Sequence, residues 1–180
     1  MKKNTFLVLA IATVSMVFSA CQKSDDTLAE QTVVNDNTEF ADGNRYGAGV
    51  MQLVAQTRQA TDKYHDPAVA LADGYTDTGE CASIPGVGGM GVHFVHFGKV
   101  DGIFDPMEPE ALMYEIKADG SYKFVGFEYL YNGSSAPTFA GQVDFHLLPL
   151  PIADYALHVW AWKANPTGLF EDWNPNVVCP

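Results

Sequence analysis

The chain has 180 residues, of which 22 are acidic and 10 basic, giving a formal charge of −12 at neutral pH, and 47% of residues are hydrophobic. So acidic a chain excludes nucleic acid as a partner, because a phosphate backbone requires basic contacts. Docking on anionic lipid by charge alone is disfavoured for the same reason, whereas cation binding suits the sign.

Lys2 and Lys3 precede an apolar run, Phe6 to Phe18, and Phe18-Ser19-Ala20 lead directly into Cys21. Charge, apolar segment and small residues, in that order, are the three parts of a secretory signal peptide. The apolar run is 13 residues long, short of the ~20 that a membrane span requires. With a cysteine directly after the small residues, the segment resembles the lipobox of bacterial lipoproteins, Phe18 standing where an aliphatic residue is usual. The resemblance implies a signal peptide over residues 1–20, acylation of Cys21 by diacylglycerol and palmitate, and an outer-membrane lipoprotein of the bacterial cell envelope. Gln22-Lys23-Ser24-Asp25-Asp26 is similar to the surface-export signal of Bacteroidota lipoproteins, which implies surface display over periplasmic retention. Without Lys2 and Lys3 the remainder carries 8 basic and 22 acidic residues, a charge of −14, so the acyl chains must hold it to the membrane. Residues 21–43 are too polar to bury a core and read as a tether; ~20 residues of flexible coil reach ~25 Å.

Residues 44–180 fit one domain of ordinary size. Val50, Leu53, Val54, Thr57 and Ala60 keep helical spacing between Gly47 and Asp62. A second helix, Pro67 to Ala72, has Asp66 as its N-cap and stops at Gly74. Aromatic and β-branched runs follow, predicting strands at Met90–Phe97, Ala111–Lys117, Tyr122–Tyr131, near Gln142–Leu148, and at Tyr155–Lys163. Asp119-Gly120 is a hairpin signal between the second and third. Helices first and strands after predict an α+β domain, with N-terminal helices packed on a curved antiparallel sheet of four to five strands, as in cystatin-like or nuclear-transport-factor-like rolls. A small β-barrel is the alternative. Once Cys21 is acylated, Cys81 and Cys179 remain, and an oxidising compartment predicts a disulfide between them, with independent free thiols or a metal pair as the alternatives.

Several motifs fail on context. Gly86-Val87-Gly88-Gly89-Met90-Gly91 spells a dinucleotide fingerprint, but strand-like residues follow it where a helix is required. Asp101, Asp105, Glu108 and Glu110 lack the ligand order of a calcium loop and read as a solvated acidic turn. Gly133-Ser134-Ser135 lacks the glycine spacing of a nucleophile elbow, and a disulfide would remove Cys81 as a thiol catalyst.

Four polar residues inside apolar strands survive. His93, Glu115, Glu128 and His158 come from four different predicted strands, and an antiparallel sheet can bring such positions side by side. Two imidazoles and two carboxylates could hold Zn, Mn or Fe, or act as general acid and base. His96 falls on the opposite face from His93, because an odd spacing along a strand reverses the side chain. Counting by two from His158 places Trp160 and Trp162 on its face, as the lining of an aromatic cleft. The plain alternative for all four is the wet face of a one-sided sheet.

The block Leu157-His158-Val159-Trp160-Ala161-Trp162-Lys163-Ala164-Asn165-Pro166, with Trp173-Asn174-Pro175-Asn176 behind it, resembles the end of a class of secreted bacterial proteins that carries no established activity. That resemblance brings no site residues with it. The functional expectation is a lipid-anchored envelope or cell-surface protein that binds a small ligand or an envelope protein. A metal-binding protein or metal-dependent enzyme is the alternative, and a structural envelope lipoprotein a further one.

Overall fold

The structure is a computed structural model that describes residues 45–180; the segments expected to be a signal peptide and a tether, with Cys21, lie outside the described residues. Helix α1 (Ala48–Thr61) buries Val50, Val54, Thr57 and Thr61, one stripe at helical spacing. Its polar members are satisfied locally or across the core: the Thr57 hydroxyl donates to the Pro106 carbonyl at 2.8 Å and the Thr61 hydroxyl to the Thr57 carbonyl at 2.8 Å. A 3-10 turn, Asp62–His65, leads into α2 (Pro67–Ala72). There the Asp66 carboxylate accepts from the Ala68 N–H at 2.9 Å, and Pro67 opens the first turn, as its missing N–H allows.

Beyond Gly74 come β1 (Thr76–Ile84), β2 (Gly88–Val95), β3 (Ala111–Ile116) and β4 (Tyr122–Tyr131). The two-residue pieces β5 (Thr138–Phe139), β6 (Val143–Asp144) and β7 (His146–Leu147) precede β8 (Tyr155–Val159). An antiparallel six-stranded sheet in the order β1-β2-β3-β4-β8-β7 curls into a half-barrel, and β5 and β6 form a separate ribbon. The domain is α+β, with six strands in the main sheet where four to five were expected. The strand missed in the sequence is β1: Thr76-Asp77-Thr78-Gly79-Glu80 shows no apolar alternation because it is a largely exposed edge, bulged between Asp77 and Cys81. The expected strand near Gln142–Leu148 is split between the ribbon and the edge of the main sheet.

Strand alternation divides the side chains between two faces. Phe94, Leu112, Tyr114, Phe127, Tyr129, Leu157 and Val159 join Val50 and Val54 of α1 in the main core. The other face carries a smaller cluster of Val95, Ala111, Leu130, Ala153 and Ala156. Phe124 to Leu130 is continuously buried because β4 is covered on both sides. Cys81 on β1 and Cys179 are joined as a disulfide, with Cα atoms 5.6 Å apart. A pair of backbone hydrogen bonds between Gly89 and Asn174, at 3.1 and 3.0 Å, fastens the C-terminal segment to β2 as well. Gly88, with φ at 143°, lies so close to the Asn174 carbonyl that a Cβ would collide with it. The glycine-rich stretch is thus a hairpin and a docking strip for the C-terminal tail.

Glu110 departs from the solvated acidic turn expected for it. It is buried, and its Oε2 accepts the Leu130 N–H at 3.0 Å. Burial pushes its pKa from 4.5 up to about 7, against the pull of the backbone hydrogen bonds. A carboxyl raised in the native state is neutral there while the unfolded chain ionises, so stability falls as pH rises from 4.5 toward 7 and stays low above it. Glu110→Gln keeps an acceptor without the charge. Relative to the parent it should gain about 3 kcal/mol between pH 4.5 and 8, since each tenfold change in proton affinity is worth ~1.4 kcal/mol. Urea melts of both proteins across that range measure it; parallel curves would refute the assignment.

Candidate metal centre

The face opposite α1 is where the polar strand residues meet. Glu128 on β4 lies directly across from His158 on β8 and, on its other side, from Ala111 on β3. Val95 is aligned with Ala111, and His93 stands two residues earlier on the same face of β2. Ala111 is too small to block the path, so the His93 ring crosses above β3 toward Glu128. Gly126 helps: it sits opposite Met113, and a Cβ there would strike both the Val159 carbonyl and the Met113 methyl.

The distances follow from that register. His93 Nε2 is 3.5 Å from Glu128 Oε2, and His158 Nε2 is 3.4 Å from Glu128 Oε1. The three side chains are 16, 8 and 3% exposed for His93, Glu128 and His158. Beyond them His158 Nδ1 is hydrogen-bonded to Asp172 Oδ1 at 3.1 Å, and His146 Nε2 lies 3.4 Å from the same oxygen. The two rings of His146 and His158 are stacked, centroids 6.3 Å apart. His158 Nε2 is buried and makes no hydrogen bond among the described residues, its contact with Glu128 lacking the angle for one.

Comparison with protein-family models, curated proteins and solved structures finds no match. The chemistry of the site therefore has to be read from its own atoms. One donor atom each from His93, Glu128 and His158 lies within 4.8 Å of the others. Ligands ~2.0–2.2 Å from a transition metal lie ~2.9–3.5 Å from one another at tetrahedral or octahedral angles; each histidine lies in that range from one oxygen of Glu128, His93 from Oε2 and His158 from Oε1. An imidazole whose Nδ1–H is held by a carboxylate presents its Nε2 lone pair outward, the usual support for a ligating histidine. Asp172 supplies that support to His158.

Electrostatics separates the two rings. Burial depresses the His93 pKa, and His158 pushes the same way against Glu128. Burial also acts downward on His158 and is the largest single influence, but Glu128 and Asp172 together outweigh it and leave the pKa raised. Asp172 is lowered: burial opposes ionisation, yet the hydrogen bond and charge of His158, with His146 behind, prevail.

The fourth residue of the expected site is elsewhere. Glu115 shares a face with Met113, but Lys163 Nζ binds both of its oxygens, at 2.6 and 2.7 Å. The tryptophan lining is corrected too. Trp160 is fully buried in the main core, its indole N–H donating to the Glu171 carbonyl at 2.6 Å. Trp162 lies 4.3 Å under the Arg58 guanidinium and beside His65. Counting by two fails here because β8 ends at Val159; a tight turn, Ala161 N–H to the Val159 carbonyl, follows. The tryptophan that does line the cleft is Trp173, from the tail fastened to β2. His96, past the end of β2, packs on the Tyr75 ring. Asp172 and His146 carried no signal in the sequence: one lies in a loop, the other in a two-residue edge strand.

Proposed function

We propose that the protein is a lipid-anchored envelope protein that holds a divalent transition metal, zinc or iron(II), on His93, Glu128 and His158. The observation that carries the metal is the buried His158 Nε2, without a hydrogen bond, in the same cluster as His93 Nε2 and a carboxylate. Two imidazoles and one carboxylate, with positions left open toward a cleft, suit Zn, Fe(II) or Mn and leave room for a ligand. His93, Glu128 and His158 would bind the ion, and Asp172 would orient His158. The ion would supply Lewis acidity to whatever binds the open positions.

Elemental analysis tests the metal directly. Full chain purified without chelators should carry about one equivalent of zinc or iron, lost on dialysis against a chelator and regained on adding the ion. A protein that neither carries nor takes up zinc, manganese or iron overturns the reading.

The envelope location rests on residues 18–21 and on the basic and apolar segments before them. Among the described residues no helix is long and apolar enough to cross a membrane. Acylation at Cys21 needs the thiol as nucleophile, so Cys21→Ser should give an unacylated precursor. Metabolic labelling with a palmitate analogue reads this out, and equal labelling of parent and variant would exclude Cys21 as the attachment point.

A further inference from the structure

We infer that the cleft beside the triad takes an amphiphile with a single anionic head and an apolar tail, for which a ten-carbon carboxylate is a suitable probe, and that the metal makes the head acceptable. The inference rests on the metal reading and extends it to the ligand.

The walls select the tail. Val95, Leu130, Leu148, Leu150 and Ile152 line, together with His93, Glu128 and His158, one cavity of about 540 Å³. That volume is within the ~300–1,000 Å³ of small-ligand sites. Leu147 and Leu150, at the mouth, are 73 and 58% exposed, so apolar surface continues past the rim. Val95 and Leu130 are 3% exposed and pack with Leu148 and Ile152, so the apolar surface left for a ligand lies toward Leu147 and Leu150.

The charges select the head. The ionisable residues that line the cavity are Glu80, Glu128 and Asp172 together with His93, His146 and His158; no lysine or arginine is among them. An anionic head entering the metal-free cleft meets carboxylates and no fixed cation. A divalent ion on the triad adds two positive charges among side chains that are only 3–16% exposed, where they are poorly screened. A carboxylate can then occupy an open coordination position, with its tail along the apolar lining toward Leu147 and Leu150. A neutral chain of the same length gains the same apolar burial with or without the ion. Loading the metal therefore changes the affinity for the anion and not for the alcohol.

Trp173 lines the cleft, whereas Trp160 is buried in the core and Trp162 lies beside Arg58, so tryptophan fluorescence can report binding. The full chain carrying Cys21→Ser removes any competing acyl group of its own. Decanoate, decanol and butyrate would be titrated, below their aggregation range at pH 8, into zinc-loaded and chelator-treated protein whose zinc content has been measured. Decanoate should bind at least tenfold tighter to the zinc form, and decanol within threefold of equally to both. Butyrate should be weaker than decanoate by at least a hundredfold, since each buried methylene gains about fourfold. Leu150→Asn, which removes apolar surface without adding charge, should weaken decanoate and decanol alike while the zinc content stays the same. A zinc-loaded protein that binds decanoate no better than the chelated form, or not at all, overturns the ligand class and leaves the metal reading standing. A protein that takes no zinc overturns both.

Discussion

Zinc, manganese or iron(II) at about a hundred times its dissociation constant should stabilise the parent protein by about 2.7 kcal/mol, and should leave His158→Ala where it was. For a domain of this size the parent's melting point would rise by roughly 8–15 °C. Removing the His158 ring takes away the ligand with the unpaired nitrogen and the partner of Asp172. It also opens a buried space, so the variant will melt lower than the parent even without metal. What identifies the ligand role is the loss of the metal-dependent increment, measured with each ion and again with chelator. Glu128→Gln should lose most of it as well, while Glu115→Gln should retain it, because Lys163 already holds both Glu115 oxygens. A parent midpoint indifferent to all three ions would end the proposal.

Cys179→Ser should cost up to about 4–5 kcal/mol in a non-reducing urea melt, since the bridge to Cys81 closes a long loop; the sequence separation is 98 residues. A second effect comes from where the tail goes. Asn174 is bridged to Gly89, and Asp172 and Trp173 reach the cleft from that same segment. Loosening the tail should therefore also weaken zinc binding, by roughly the 10–100-fold typical of losing a group that orients a ligand. Unfolding midpoints and zinc titrations of the two proteins decide both parts, and coincident curves would mean the bridge carries neither load.

The order of helices and strands was legible because it is written in local patterns. Asp66-Pro67 and Gly74 bound α2, and Asp119-Gly120 marks the β3–β4 turn, where Gly120 donates to the Lys117 carbonyl. His93, Glu128 and His158 were legible because each interrupts an apolar strand, and register alone brings them together. What failed was non-local or aperiodic. Nothing near Glu115 in the chain announces Lys163, 48 residues on, as its partner. Edge strand β1 hides its identity, since an exposed edge has no reason to alternate. Trp160 and Trp162 changed sides through one local turn after Val159, which a count by two cannot foresee. Asp172 and His146 enter the site from irregular backbone, where neither helical nor strand spacing applies.

Placing the centre on the face away from α1 has a consequence for anyone who would alter it. Glu128 and Tyr129 are neighbours in sequence, yet one faces the histidines and the other packs on Phe104 and Phe139 across the sheet. Side chains that share no partners have nearly additive effects on stability. Coordination could thus be retuned at His93, Glu128 and His158, by exchanging imidazole for carboxylate or thiolate, without renegotiating the aromatic packing on the far side. The sheet acts as a partition, and the aromatic packing on one side is left alone by changes of ligand on the other.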